Sequence, residues 1–253
     1  MRLVLLVAFV LAAVPTAFAA GVRFPSEGAQ QRAVNALLAR ETIVSCGGPH
    51  GNAVALTFDD GPGPYTAKIV DVLRRAHAHA TFFVVGNRLQ YWPRLARAES
   101  RVGAVGNHTW SHPALTKLPS WLVWLQLART QAAVEDATGE KPMLFRSPYA
   151  LHSLRTDEVS LHLGLLEVFW DVDAGDDVPN AQPNLIVRAV ERGLRPGAIV
   201  LLHDIHPWTL HALPRILSVI HHRHLRAVSV PELLALDSPA SGQGCPYAPL
   251  GGD

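Results

Sequence analysis

The sequence predicts an α/β fold built on a parallel sheet, open or closed into a barrel, and three observations carry that prediction. Short apolar runs alternate with longer amphipathic stretches through most of the 253 residues. The runs are too short for buried helices and rich in Val, Phe and Leu, as strands buried on both faces are. Polar and ionisable residues gather where the runs end, while the starts of the runs are quieter. In barrels and open parallel sheets alike, strand carboxyl ends collect on one face, and sites are built there.

Taken in order, residues 20–52 read as a lead-in with one helix, Gln30 to Arg40. Strands follow at Ala53 to Phe58, Ala80 to Val85, Val102 to Val105, Met143 to Phe145, Leu165 to Trp170, Ala198 to Leu202 and Leu225 to Val228. Between them Ile69, Val70, Leu73 and Ala76 keep helical spacing, as do Trp121, Leu125, Ala128 and Ala132, and then Leu210, Leu213, Leu217 and Ile220. Trp121 and Trp124, at that spacing, read as core aromatics. A tail over residues 238–253, rich in Gly, Pro and Ser, is expected to be irregular. Residues 53–237 are thus expected to form one domain, and no internal repeat interrupts it.

The chain opens MRLVLLVAFVLAAVPTAFAA: one Arg, an apolar stretch, then Ala17-Phe18-Ala19, which fits a small-residue cleavage site. A signal peptide over residues 1–19 is expected, and with it a secreted, periplasmic or cell-wall-associated mature chain with no stable membrane insertion. An uncleaved anchor is the competing reading, but Pro15 and Thr16 interrupt a span that needs ~20 apolar residues. Without Arg2, basic and acidic side chains balance at 21 each. That balance gives no reason to expect nucleic acid or an anionic surface as partner, and nothing sets an oligomeric state. Cys46 and Cys245 flank nearly everything that reads as folded, which in an oxidising compartment predicts a bridge.

Five runs end in chemistry: ALTF in Asp59-Asp60, GAVG in Asn107-His108, MLF in Arg146, EVFW in Asp171, and IVLL in His203-Asp204. His108 and His112 are four apart, so on one helical turn they share a face and a metal. One carboxylate from Asp59-Asp60 would complete two imidazoles and a carboxylate, leaving positions open for water or substrate. The other would stay free as a base. "HHRH" at residues 221–224 reads as basic residues complementing a helix C-terminus rather than as a second metal site.

In order, "TFDDGP", "HTWSH", "RSPY", "DVDAGDD" and "LLHD" resemble the five motifs of the polysaccharide deacetylases, the carbohydrate esterase family that includes chitooligosaccharide deacetylases. The resemblance covers Ala53 to Leu236 and implies a distorted (β/α) barrel of about seven parallel strands. It implies metal-dependent removal of acetyl groups from an acetylated polysaccharide or oligosaccharide, with Zn2+ the favoured ion and Co2+ or Fe2+ accepted by the same donors. By position, Asp59 matches the base, Asp60, His108 and His112 the metal ligands, and Arg146 the arginine that orients the base. The Tyr149 N–H matches an oxyanion donor. His203 matches the general acid, with Asp173 expected beside it and Asp176 the alternative. Two departures stand out: Ala150 where the family usually has glycine, and Asp177 where it usually has tryptophan. Trp110 and Trp208 are candidate groove walls by position. The competing functions are O-acetyl esterase activity on xylan and a non-catalytic glycan-binding domain.

Overall fold

The computed structural model describes residues 24–40 and 43–245; the expected signal peptide, residues 1–19, lies outside the described residues. The lead-in helix α1 (Glu27–Leu38) starts three residues earlier than expected. All strand pairs are parallel: β1 (Ala53–Asp59), β2 (Ala80–Val84), β3 (Gly103–Asn107), β4 (Leu144–Phe145), β5 (Leu166–Glu167), β6 (Val172–Asp173), β7 (Ile199–His203) and β8 (Arg226–Val228). Helices connect them: α2 (Thr66–Arg75), α3 (Leu95–Glu99), α4 (Ser120–Thr138), α5 (Leu154–His162), α6 (Pro183–Gly193), α7 (Pro207–His222) and, after the last strand, α8 (Val230–Leu236).

The sheet runs β5-β4-β3-β2-β1-β7-β6, with β8 beside the first half of β1. β5 and β6 are two pieces of one stretch, 166–173, which pairs with β4 at its start and β7 at its end. Val168 N donates to Phe145 O at 2.8 Å and Asp171 N to Ile199 O at 3.1 Å, so this stretch spans both edges of the sheet. Each of the seven expected runs therefore contains a strand, β6 is a further short strand just past the fifth run, and the result is the expected distorted barrel. The break falls where the lead-in inserts: Val44 N donates to Glu167 O and Phe169 N to Val44 O. It also corrects the placement of Asp171. That residue precedes β6 and holds Arg195 and the N–H of Ile199, at the start of β7, away from the carboxyl ends.

Strand parity sorts the core into two layers. Val54, Leu56 and Phe58 face outward to α2, α6 and α7, whose buried residues include Ile69, Leu73, Ile186, Val190, Leu213 and Ile216. Ala53 and Ala55 face inward to Phe83, Leu144, Ile199 and Leu201, with α1 and α8 packed on the same cluster. Thr57 and Asp59 continue the inward row. In α4 the buried side is Val123, Leu127, Thr130, Gln131 and Val134, leaving Trp121 and Trp124 exposed, contrary to the core reading. The spacing of Trp121, Leu125, Ala128 and Ala132 is helical but follows the outer face, because α4 carries apolar residues on most of its circumference. Local signals bound the helices: Gly139 closes α4 at φ +86°, and Ser153 and Ser229 cap the starts of α5 and α8 with reciprocal boxes. No helix of the described residues is long and apolar enough to cross a membrane.

Cys46 and Cys245 are joined, Cα to Cα 5.9 Å, tying residues 238–245, which form no helix or strand, to the lead-in. The bridge closes a loop of 199 residues' separation. A Cys46→Ser/Cys245→Ser variant is expected to lose about 2–5 kcal/mol of stability, chiefly through the freer unfolded chain. Unfolding free energies extrapolated from urea titrations, with the slope fitted separately for each protein, measure the loss, and a value equal to the wild type refutes it.

Candidate active site

The register brings the site residues level. Asp59 lies beside His203 on the β1–β7 pair, and Asn107 beside Phe145 on β3–β4, so the residues that follow, His108 and Arg146, emerge side by side. Asp59 points inward by strand parity. Asp60, its neighbour, would point away, but it turns the chain with φ +70° and brings its carboxylate back to the same site. The next residue admits no side chain: a Cβ on Gly61 would lie 2.5 Å from the Asp204 carboxylate. Asp204 is itself buried and accepts from the Thr66 hydroxyl. Burial, with Asp60 close by, pushes its carboxyl up to about 7.

Asp60 Oδ1 stands 3.2 Å from His112 Nε2 and 3.7 Å from His108 Nε2. Donors about 2.0–2.2 Å from one ion stand roughly 3–4 Å apart, so this set fits a single divalent cation. His108 Nδ1 lies 2.8 Å from the Arg146 carbonyl, which can only accept; Nδ1 therefore carries the proton and Nε2 offers its lone pair. Burial and the neighbouring His108 hold His112 below the ordinary imidazole value, keeping it in the ligating form. Burial opposes the charge on Asp60, but His108, His112, His203 and Arg88 pull its carboxyl below the usual range.

His108 and His112 do not share a helical turn. Residues 108–114 form a loop, with positive φ at Thr109 (+67°) and His112 (+59°). Side chains take over the backbone hydrogen bonds a helix would have made: Asn107 Oδ1 accepts from Thr109 N, Thr109 Oγ1 from His112 N, and Gln126 Oε1 from Trp110 N and Ser111 N. Pro113 disfavours helical geometry at His112 as well.

Arg146 is fully buried inside the barrel. Nη1 reaches Asp59 Oδ1 at 2.7 Å and Thr57 Oγ1 at 2.8 Å, Nε the Val168 carbonyl at 2.8 Å, and Nη2 the Phe169 carbonyl at 3.0 Å. Its plane lies over Phe83 and faces Trp170. Beyond it, Tyr149 and Ala150 adopt φ of +61° and +55°. The Tyr149 ring packs edge-on against His112 at 4.6 Å, and its N–H has no hydrogen-bond partner among the described residues.

His203 completes the opposite wall. The carboxylate beside it belongs to Asp176, not Asp173: Asp176 Oδ1 is 2.8 Å from His203 Nδ1, and Oδ2 accepts from His203 N and the Thr209 hydroxyl. Asp173 is exposed and accepts from Gly175 N. Its place as the last residue of β6 keeps it on the strand, whereas the turn at Gly175 returns Asp176 to the barrel. Burial pulls the His203 imidazole down, but the Asp176 hydrogen bond and charge, with Asp59 and Asp60, lift it to about 9. Trp208 stacks on His206 and donates its N–H to the Asp176 carbonyl, and Arg129 lies over the Trp110 ring. The Thr209 contact was invisible in the sequence, since its partner lies 33 positions away.

A strand-end cluster of this kind, two imidazoles and a carboxylate facing an imidazole–carboxylate pair, is found on a barrel whose matching profile is polysaccharide deacetylase, over residues 47–168. The chain is 36% identical over 73% of its length to the peptidoglycan-N-acetylmuramic acid deacetylase of Bacillus subtilis, of which it spans 39%. It is 34% identical over 71% of its length to the chitooligosaccharide deacetylase of Rhizobium leguminosarum, covering 90% of that protein. A CE4 family pseudoenzyme from Bacillus anthracis superposes with a TM-score of 0.72 at 27% identity, over 77% of this chain and 69% of the other. The chain belongs to the polysaccharide deacetylase family. It spans about two fifths of the length of the peptidoglycan deacetylases it matches.

Removing Arg146 would leave Asp59 buried without its counter-charge. Arg146→Met is expected to cost about 3–5 kcal/mol, as for other buried pairs broken from one side. Chemical denaturation checks this; a loss below about 1 kcal/mol would show that the pair does not hold the barrel interior.

Proposed function

We propose that this chain is a secreted, metal-dependent hydrolase that removes N-acetyl groups from amino sugars of a peptidoglycan- or chitin-like polysaccharide. One observation carries the reading: the Asp60, His108 and His112 donors stand on one side of Asp59, and the His203–Asp176 pair on the other. The apolar, cleavable-looking amino terminus and the disulfide support export.

Asp60, His108 and His112 would hold a divalent ion, zinc first and Co2+ or Fe2+ after it, which would supply Lewis-acid chemistry for an acyl group and for water. Asp59, kept in place by Arg146, accepts the proton of the attacking water through the oxygen not committed to the guanidinium. The Tyr149 N–H faces the charge that develops on the acetyl oxygen. His203, cationic through its pairing with Asp176, gives its proton to the departing sugar nitrogen. Acetate and the free amine result. Arg146 accepts no proton; it orients.

Acetate release from chitooligosaccharide, peptidoglycan and acetylxylan, with and without chelator, tests the reading. Release from the N-acetylated substrates, abolished by chelation, supports it. Faster release from acetylxylan makes the chain an O-acetyl esterase, and no release from any makes it a glycan-binding member of the family.

The adjacent aspartates are expected to fail differently. Asp59→Asn keeps its metal and loses roughly 10²-fold to 10⁴-fold in turnover, the usual worth of a positioned base. Asp60→Asn loses the metal, and added zinc restores part of the rate. Metal content and turnover of both variants, measured side by side, decide; the opposite pattern reverses the assignment.

The pH profile is the other check. His203 gives a proton only as the cation, so the rate falls as pH rises through its pKa, about 9. Asp176→Asn removes what lifts that value, and the alkaline limb of kcat is expected to move down by about 1–3 pH units. A limb that stays in place excludes His203–Asp176 as the acid pair.

A further inference from the structure

A second group of donors surrounds the loop that carries Tyr149. Glu167 ends β5, and strand parity turns it away from Leu166 and Val168, which face the inner core, toward the start of α5. It is 3% exposed. One of its oxygens accepts from the Ser147 hydroxyl, and the other, Oε2, is buried without a partner. Its nearest charged neighbour is another carboxylate, Asp157, in the first turn of α5. His152, just before the Ser153 cap, brings Nδ1 to 3.2 Å from Asp157 Oδ2 and packs its ring against Phe169. One donor atom from each of His152, Asp157 and Glu167 lies within 4.8 Å of the others.

This arrangement is costly as it stands. A buried carboxylate oxygen with no partner loses its hydration and gains nothing for it, and a second carboxylate beside it adds repulsion. Burial first, then Asp157, push the Glu167 carboxyl up to about 8, with Ser147 pulling the other way. A single proton shared between the two carboxyls would relieve the repulsion. It would not use the imidazole, and the Ser147 hydroxyl already satisfies the opposite oxygen of Glu167. A cation satisfies Oε2, turns the repulsion into two attractions and draws on a lone pair of the imidazole. A small cleft of about 180 Å³, lined by Asp157, Glu158 and Glu167, gives solvent a route to the group.

We propose that His152, Asp157 and Glu167 form a second divalent-cation site, for Zn2+ or Mn2+, that clamps the Tyr149 loop between β5 and α5. One imidazole with two carboxylates suits ions between hard and borderline, with remaining positions filled by water. The site is distinct from Asp60, His108 and His112, shares no residue with it, and does not depend on the deacetylase reading. Its effect on the reaction runs through the loop: Ser147 and His152 bracket the backbone that presents the Tyr149 N–H.

Metal-stripped protein titrated calorimetrically with Zn2+, and in parallel with Mn2+, tests the proposal. The wild type is expected to take up two equivalents, and Glu167→Gln and His152→Asn one each. His112→Ala is expected to lose the other equivalent and still to be raised in melting temperature by Zn2+. That rise should vanish in His112→Ala/Glu167→Gln. Equal stoichiometry in the wild type, Glu167→Gln and His152→Asn overturns the proposal and leaves the cluster a proton-sharing carboxyl pair. So does a His112→Ala variant whose melting temperature ignores Zn2+. Should Glu167→Gln fail to fold, His152→Asn, whose side chain is partly exposed, decides alone.

Discussion

The buried guanidinium of Arg146 is the interaction on which the remaining geometry rests. Four of its contacts are fixed by different parts of the barrel: Thr57 and Asp59 on β1, and the carbonyls of Val168 and Phe169 where the chain crosses from β5 to β6. That crossing is the weakest part of the ring, since β5 and β6 pair with different neighbours and no regular ladder joins them. A planar group with five donors can bind carbonyls on one side and a carboxylate on the other; a lysine, with one flexible ammonium, cannot hold the same set. The Arg146 backbone carbonyl also fixes the His108 ring through Nδ1. One residue thus orients both the Asp59 carboxylate and an imidazole that faces Asp60.

Strand parity and the turns that break it divide the labour between adjacent residues. Small inward side chains at Ala53 and Ala55 leave room in the barrel for Phe83 and Trp170, and above them for Arg146. At the carboxyl ends, parity alone would send every second polar residue away from the site. Positive φ returns the Asp60 carboxylate, and Thr109, His112, Tyr149 and Ala150 take the same conformation in the loops around the site. Each non-glycine residue held there costs about 1–2 kcal/mol, and such strain persists only where surrounding contacts over-determine it. Ala150 illustrates the point. It takes a left-handed conformation where the family usually has glycine, and it is buried in the inner cluster, so the packing that holds its methyl group also holds the conformation.

Much of this was legible in the sequence because parallel strands buried on both faces leave continuous apolar runs, and because polar residues that end such runs have few other places to go. All seven runs became strands. What stayed hidden depended on contacts made by side chains far apart in sequence. The aspartate beside His203 is decided by the turn at Gly175 and the reach of Thr209, neither of which has a periodic signature. The spacing of His108 and His112 suits a helix, but Asn107, Thr109 and Gln126 supply hydrogen bonds that favour a loop. The buried face of α4 has no distinct apolar signature, because Trp121, Trp124 and Leu125 are apolar and yet exposed. Glu167 gave no signal at all, since a single carboxylate after Leu166 looks like a strand end facing water, and only the packing of α5 over it makes it buried.

The same residue types behave oppositely across the site, and their surroundings explain why. Of two adjacent aspartates, Asp59 is matched by a guanidinium and Asp60 by two imidazoles, so each has partners of its own. Of the histidines, His112 is half-buried beside another imidazole and is held below its ordinary value, while His203, more deeply buried, is lifted above it. Burial alone would depress both. The difference is the Asp176 carboxylate, which bonds both the ring and the backbone N–H of His203 and is itself fixed by Thr209. A neutral imidazole can give a lone pair and a cationic one a proton, so a single carboxylate placed by a glycine turn separates the two chemistries across the width of β1 and β7.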